Sequence, residues 1–228
     1  MKRTLCLLIT LSAVFTAAAC SKAQITQDEA YLNIINRLTA EYGEGYTDVH
    51  DSGFAAYNTI NGAGIIRLID FDGDGNSELY CAYQKNAEWI DTQIIYGFSK
   101  NGVYVLLEEC PVSNPGLGFD PCAVFLEKDG IVYLKDVQRR TSGRYLTVKE
   151  GKMTAVLTYE YKNSSSPVSS ADGIMMSGDS VLEIIEQMEA GGSLKRISFA
   201  AFSDPDVLED TKNTIEAIKS RVKKQAHD

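Results

Sequence analysis

Apolar residues recur at helical spacing near both ends of the chain and at strand spacing between them. Near the N-terminus, Thr26 and Glu29 form a capping box ahead of an apolar stripe, which predicts a helix over residues 27–42. The stripe consists of Tyr31, Ile34, Ile35, Leu38 and Tyr42. Glycines at positions 43 and 45 end this helix.

The central residues, 64–161, follow the period of two that is typical of half-buried strands. Asn101-Gly102 and Asp129-Gly130 predict tight hairpin turns because both pairs tolerate positive φ, and Glu150-Gly151 repeats the pattern. With an acidic turn after residue 69, they make four successive hairpins. The predicted strands are 65–69, 79–83, 93–98, 103–108, 122–127, 131–136, 144–149 and 152–161.

The C-terminal part returns to helical spacing after a Ser-rich stretch, residues 163–173, which predicts a flexible loop. Asp204-Pro205 provides an N-cap and a proline at the first position of the last helix. The predicted elements are helices over 180–190 and 205–224, with a short strand at 194–199 between them. We therefore expect an α+β fold, an antiparallel β-meander of about eight strands flanked by N- and C-terminal helices, in one globular domain over 26–228.

Composition and charge narrow the class of partner. The chain has 228 residues, 44% of them hydrophobic, which is enough for a sizeable core. Its net charge of −9 argues against nucleic-acid binding and against electrostatic docking on anionic lipids, since both require basic residues. No stretch is long enough to predict a transmembrane helix.

The first twenty residues have the layout of an export signal. Lys2 and Arg3 precede an apolar run over 5–15, and small residues lead up to Cys20. We expect a signal peptide over 1–19 and a short tether over 20–25. The segment resembles bacterial lipoprotein signals, although Ala17 stands where that family usually has leucine. The resemblance implies a lipid on Cys20 and a membrane anchor outside the cytoplasm; secretion after cleavage near Ala19 is the alternative.

The acidic turn carries the strongest chemical signal in the chain. Its sequence is Asp70-Phe71-Asp72-Gly73-Asp74-Gly75-Asn76-Ser77-Glu78. Oxygen ligands at this spacing suit calcium, and the two glycines let the backbone curl around an ion. The expected ligands are the side chains of Asp70, Asp72, Asp74 and Glu78 and the backbone carbonyl of Asn76, with water completing the shell.

Two families share parts of this pattern. The first six positions resemble an EF-hand loop, but Cys81 occupies the twelfth position, where that family has a bidentate Glu. The nine-residue calcium loop of FG-GAP β-hairpins is more similar and implies Asp70, Asp72, Asp74, Asn76 and Glu78 as ligands. The "DxDGDGxxEL" stretch also resembles that of exported bacterial lipoproteins of unknown function. Because the resemblance covers only residues 64–83, it implies a local calcium site and not a β-propeller.

Two other interpretations of the loop remain open from sequence. DGDGN is good turn chemistry without any ion, and another divalent metal is a further alternative. Magnesium is disfavoured because it requires a tighter octahedral shell.

The cysteines allow two interpretations as well. Cys110 and Cys122 flank a Pro/Gly-rich connection, so a disulfide between them is one alternative. The other is that Cys81, Cys110 and Cys122 are small buried hydrophobes.

The sequence favours a non-enzymatic cell-envelope lipoprotein with one structural calcium ion. No nucleophile motif accompanies His50 or His227. The first alternative is a glycan- or peptide-binding module with an exposed row of tyrosines, and the second is a hydrolase with structural calcium and a pair of carboxylates. The tyrosines concerned are Tyr80, Tyr83, Tyr96, Tyr104, Tyr133, Tyr145, Tyr159 and Tyr161. Sequence does not identify a protein or glycan partner.

Overall fold

The structure, a computed structural model, describes residues 25–51, 56–87, 90–110, 122–139, 142–160, 169–199 and 206–227. These residues form three helices, α1 (Gln27–Tyr42), α2 (Gly178–Glu189) and α3 (Asp206–Gln225). The first six strands are β1 (Tyr46–Asp51), β2 (Ala56–Asn61), β3 (Ile65–Ile69), β4 (Glu78–Tyr83), β5 (Thr92–Ser99) and β6 (Gly102–Glu109). The remaining seven are β7 (Cys122–Lys128), β8 (Ile131–Arg139), β9 (Ser142–Lys149), β10 (Lys152–Glu160), β11 (Ser169–Ala171), β12 (Ile174–Met176) and β13 (Ser193–Ser198).

The strands form two large antiparallel sheets and one separate hairpin. One sheet has the order β3-β4-β5-β6, and the other has the order β12-β11-β10-β9-β8-β7-β13. Strands β1 and β2 pair only with each other. The α+β class and the antiparallel strands are confirmed, and all eight predicted meander strands are present. They divide after β6, however, because the chain passes there from the four-stranded sheet to the seven-stranded sheet.

The two large sheets pack face to face around a shared core. Tyr80 and Ile95 of the four-stranded sheet are in the same buried cluster as Phe125 and Leu146 of the seven-stranded sheet. The Tyr80 and Phe125 rings meet edge to face, with centroids 5.2 Å apart. This inter-sheet layer explains why β4 and β5 are buried on both faces.

Helices cover the outer faces of both sheets. On the four-stranded sheet, Tyr31 and Ile35 of α1 and Ile218 of α3 pack against Leu79 and Ile94. On the seven-stranded sheet, α2 contributes Ile184 and Met188 to a cluster around Leu126, Tyr145 and Leu157. The layers therefore run helix, sheet, sheet, helix. Within the described ranges, none of the helices is both long and apolar enough to cross a membrane.

The predicted capping box of α1 is present. The Thr26 hydroxyl accepts from the Glu29 amide, and the Thr26 amide donates to Glu29 Oε2 at 2.9 Å. At the other end, Gly43 has a φ of 84°, which favours glycine. Local capping chemistry was therefore sufficient to predict both ends of this helix.

The predicted loop over 163–173 differs from the structure at its C-terminal end. Residues 161–168 lie outside the described ranges, but β11 and β12 form a short hairpin. Its turn includes Asp172, whose carboxylate accepts from the Thr158 amide at 2.9 Å. This contact to β10 and the β10–β11 pairing supply partners that a polar Ser-rich sequence does not reveal.

Candidate metal centre

The acidic loop joins β3 to β4 at one end of the four-stranded sheet. Ile69 and Glu78 are the last residues paired across the two strands, so residues 70–77 project beyond the ladder. Within this loop, Gly73 and Gly75 have φ angles of 75° and 87°. Both values lie in the left-handed region, which explains the glycines at these positions.

Backbone amides hold the aspartates of the loop in place. Asp70 accepts from the Gly73 amide through Oδ1 and from the Gly75 amide through Oδ2, both at 2.8 Å. Asp72 Oδ1 accepts from the Asp74 amide at 3.2 Å, and Asp74 Oδ1 accepts from the Asn76 amide at 2.7 Å. The loop is therefore wound around its own carboxylates, which are fixed by backbone geometry.

Three of the five predicted ligand residues come together. Asp70, Asp72 and Asp74 each place one carboxylate oxygen within 4.8 Å of the other two. Like charges this close repel by ~4 kcal/mol per pair at an effective dielectric near 20. Burial and then the charges of Asp74 and Asp70 raise the pKa of Asp72, partly offset by its hydrogen bond from the Asp74 amide. The triplet therefore favours a positive charge at its centre.

Glu78 and Asn76 lie at the edge of this triplet. Glu78 Oε2 accepts from the Phe71 amide at 3.1 Å, across the base of the loop. Burial raises the pKa of Glu78 to about 7; the hydrogen bond from the Phe71 amide opposes this effect, and the charges of Asp72 and Asp70 add smaller contributions to it. Asn76 donates its side-chain amide to Asp74 Oδ2 at 3.2 Å. Both residues thus stabilise the loop through hydrogen bonds to other residues of the loop.

The loop is anchored between the two sheets by Phe71. Its side chain is fully buried and packs near Phe125 of β7, with ring centroids 6.3 Å apart. Its carbonyl accepts a hydrogen bond from the Thr147 hydroxyl of β9. A Cβ on Gly73 would lie 2.8 Å from the Gly130 carbonyl oxygen in the β7–β8 turn. The seven-stranded sheet therefore supports the loop directly.

Helix α1 holds the other end of the loop. Gln27 Nε2 donates to the Ser77 carbonyl at 2.7 Å, and the Tyr31 hydroxyl donates to the same carbonyl at 3.2 Å. Sequence analysis missed Gln27, Tyr31 and Thr147 as supports of the site. Their separations from the loop, 46 to 76 residues, leave no local spacing signal.

The remaining predicted sites have mixed outcomes. Cys20 lies outside the described residues. Cys110 and Cys122 are both in the thiol form in this structure, and a disulfide between them stays a prediction. Cys81 is buried as a small hydrophobe, whereas Cys110 is exposed. Cys110 is exposed because it lies directly after the last residue of β6, outside the strand.

The strand tyrosines serve the core. Tyr80, Tyr83, Tyr96 and Tyr145 are buried. Tyr104, Tyr133 and Tyr159 are half-buried, and Tyr161 lies outside the described residues. Apart from Tyr104, the described rings named for a binding row belong to the clusters that pack between layers.

Comparisons with known proteins give no match to a family, a curated protein or a solved structure. Function must therefore be inferred from the chemistry of the site itself.

Proposed function

We propose that this protein is a non-enzymatic lipoprotein of the cell envelope, in which the 70–78 loop binds one calcium ion as a structural element. The convergence of Asp70, Asp72 and Asp74 within 4.8 Å carries the proposal. A divalent cation turns the repulsion among these carboxylates into attraction. Only oxygen donors converge there, which suits a hard cation.

Calcium fits this loop better than magnesium does. Calcium accepts six to eight oxygen ligands in a flexible arrangement. Carboxylates, backbone carbonyls and water can all act as these ligands. Magnesium demands a near-ideal octahedral shell and retains several waters. Asp74 and Asn76 are exposed, so water has access to complete the calcium shell.

The supports of the loop make a structural role the best interpretation. Phe71 and Gly73 contact the seven-stranded sheet, and Ser77 contacts α1. An ion that stiffens residues 70–78 thereby strengthens the contacts that join the loop, the seven-stranded sheet and α1. Extracellular calcium modules bind at roughly 0.1–1 mM, and tenfold excess over the dissociation constant adds only ~1.4 kcal/mol of stability.

Thermal unfolding with calcium and with chelator tests the proposal. We expect calcium to raise the melting temperature by about 3–6 °C at tenfold excess over the dissociation constant. Asp72→Asn/Asp74→Asn should abolish this rise. As a control, Glu183→Gln/Glu186→Gln removes the same charge from exposed positions on α2 and should keep it.

Two results would contradict calcium binding. One is an equal response of the wild type and the Asp72→Asn/Asp74→Asn variant, which would indicate non-specific screening. The other is no response in either protein at 10 mM calcium, tenfold above the weak end of the expected range. A response to magnesium that equals the calcium response would assign the site to another metal.

The envelope part of the proposal is supported by the sequence before Cys20. Expression in a bacterium fed a labelled fatty acid should put label on the wild-type protein and place it in the membrane fraction. Cys20→Ser should lose the label and appear in the soluble extracytoplasmic fraction. An unlabelled wild-type protein would favour the alternative of simple secretion.

The hydrolase alternative requires a cleft with an acid of raised pKa. A cleft of about 310 Å³ lies between α1 and α3, with Ile35 and Leu208 among its lining residues. Its carboxylates, Glu44 and Glu216, are exposed, and a hydrogen bond from Lys219 lowers the pKa of Glu216. A carboxyl with a lowered pKa is a poor general acid, so Glu216 does not support the hydrolase alternative.

A further inference from the structure

A chain of polar side chains crosses the core between the two sheets, at the end opposite the acidic loop. The Tyr80 hydroxyl donates to Gln93 Oε1, and Gln93 Nε2 donates to Glu109 Oε1, each at 3.1 Å. From the other sheet, Arg144 donates to Glu109 Oε2 through Nη2 and to Asp136 Oδ2 through Nε. The five side chains come from β4, β5, β6, β8 and β9, and Arg144 joins the sheets.

Among the side chains that the structure describes, the charges in this cluster do not balance. Glu109 and Asp136 carry two negative charges, and Arg144 supplies one positive charge. The Asp136 side chain is only 1% exposed, against 21% for Glu109 and 28% for Arg144. Among the described residues, Asp136 Oδ1 has no hydrogen-bond partner. A buried carboxylate oxygen without a donor is costly, so the fully ionised cluster is destabilised.

The neighbouring groups do not relieve this imbalance. Although burial opposes its charge, the hydrogen bonds and charges of Asp136 and Glu109 raise the pKa of Arg144, so it stays ionised. Tyr80 on β4 stays neutral because burial places its pKa well above the usual value. Tyr159 on β10 also stays neutral, with its pKa raised to about 12 by burial, Glu189 and Asp136. The other ionisable groups that act on Tyr80 are Cys81 on β4, Cys122 on β7 and Arg67 on β3.

The carboxyl pair is therefore the place where a proton can enter. Burial, followed by the charge of Asp136, raises the pKa of Glu109 against the opposing effects of Arg144 and Gln93. One added proton leaves one carboxylate for one guanidinium and removes the excess charge. Glu109 is the group whose raised pKa indicates where this proton binds.

We propose that Glu109, Asp136 and Arg144 form a proton-operated clasp between the two sheets, which takes up one proton and tightens as the solution becomes weakly acidic. The clasp is separate from the acidic loop and requires no metal. Glu109 is the last residue of β6, where the chain leaves one sheet for the other, so the protonation state acts directly on the junction.

The sign of the pH effect follows from linkage. A carboxyl group whose folded-state pKa exceeds its unfolded value stabilises the fold at low pH, and this stability is lost as pH rises through the folded pKa. One proton taken up on folding changes the unfolding equilibrium constant by up to tenfold per pH unit. The clasp therefore predicts weaker folding at pH 8 than at pH 5.

Urea unfolding tests the clasp. It is measured in the presence of a chelator on the full chain carrying Glu78→Gln, which is the parent of all the variants compared. This background removes Glu78, whose pKa is raised to about 7, while Asp72, whose pKa is also raised, is the same in every variant compared. We expect the unfolding constant to rise several-fold from pH 5 to pH 8, and Asp136→Asn or Glu109→Gln to flatten that rise. Asp136→Asn should also unfold less than its parent at pH 8, because it removes the excess charge. Glu108→Gln, which changes the exposed neighbour on the same strand, is the matched control and should keep the rise.

Equal pH slopes in Asp136→Asn and its parent would overturn the clasp, as would lower stability of Asp136→Asn at pH 8. A direct measurement does not depend on how the variants fold. Carbon-13 NMR of the Glu109 carboxyl in the wild-type protein should show a midpoint above the usual glutamate range. A midpoint at or below about 4.5 would refute the proposal.

Discussion

The hydroxyl of Thr147, on β9, donates a hydrogen bond to the backbone carbonyl of Phe71, 76 residues earlier in the chain. Thr147 belongs to the seven-stranded sheet, whereas Phe71 lies in the loop that joins two strands of the four-stranded sheet, and both residues are buried. The acidic loop, which connects two strands of the four-stranded sheet, is thus held in place by the seven-stranded sheet. A surface loop with charged residues consequently has a fixed base in the core, which is what a preformed ion site requires.

Thr147→Val should measure the strength of this link. Valine keeps the shape of threonine but cannot donate to Phe71 O or to the nearby Val132 carbonyl. We expect a loss of about 1–3 kcal/mol in the free energy of unfolding, because a buried carbonyl is left without its partner. Urea denaturation measures it. Thr47→Val, at an exposed position on β1, should change stability by less than ~0.5 kcal/mol, and equal effects would contradict the link.

Gly73→Ala and Gly75→Ala separate backbone strain from close packing. Both residues have positive φ, so each alanine costs about 1–2 kcal/mol in strain. Only at Gly73 would the new Cβ meet another atom, the Gly130 carbonyl oxygen at 2.8 Å; nothing lies within 4 Å at Gly75. We expect Gly73→Ala to lose ~1–3 kcal/mol more than Gly75→Ala, as measured by urea unfolding. Similar losses in the two variants would contradict this prediction, because they would show that the β7–β8 turn moves away from the new methyl group at little cost.

Glu78→Gln should change the pH dependence of stability when calcium is removed by chelator. Burial raises the Glu78 pKa from 4.5 to about 7, so ionisation costs more in the folded protein than in the unfolded chain. Stability from this group is therefore present below pH 4.5 and lost by about pH 7. Glutamine keeps an oxygen that can accept from the Phe71 amide but carries no charge.

The measurement is the difference in melting temperature between the wild type and Glu78→Gln as a function of pH. From pH 5 to pH 8 in chelator, the melting temperature of the wild type should fall further than that of the variant. Saturating calcium should narrow this difference, since the cation compensates the ionised carboxylate. Parallel curves in chelator would contradict the raised pKa.

Strand positions were predictable because the turn chemistry marks their ends. Residues 65–69 match β3 to the residue, and Asp129-Gly130 and Glu150-Gly151 form turns, with positive φ at all four positions. The division into two sheets was not predictable. Strand β5 is buried on both faces from Thr92 to Gly97, so its sequence does not indicate which layer each face contacts.

The same limit applies to the candidate site. Asp70, Asp72 and Asp74 could be identified because their ligand spacing lies within five residues of sequence. Thr147 and the clasp residues Asp136 and Arg144 could not, because they meet their partners only after the two sheets pack. Strands β1 and β2 were missed for a related reason, since Tyr46, Asp48 and Val49 are exposed and lack apolar alternation.

Two arginines that link α3 to neighbouring elements provide a final comparison of buried and exposed contacts. Arg67 on β3 donates to the Thr211 hydroxyl at 2.9 Å and to the Val207 carbonyl at 3.0 Å, with its side chain only 12% exposed. Arg221 on α3 pairs with Asp28 of α1 at 2.7 Å, with its side chain 45% exposed. Arg67→Ala should therefore cost about 2–4 kcal/mol, through lost packing and buried hydrogen bonds.

Arg221→Ala should cost less than ~1 kcal/mol because water and salt screen an exposed pair. Hydrogen exchange of the α3 amides measures both effects, and urea unfolding gives the global value. Faster exchange across α3 in Arg67→Ala, with little change in Arg221→Ala, would show that β3 is the main anchor of this helix. Comparable losses in the two variants would instead place the anchor in the contact between α1 and α3, and 0.5 M salt would then weaken the wild type as much as Arg221→Ala does.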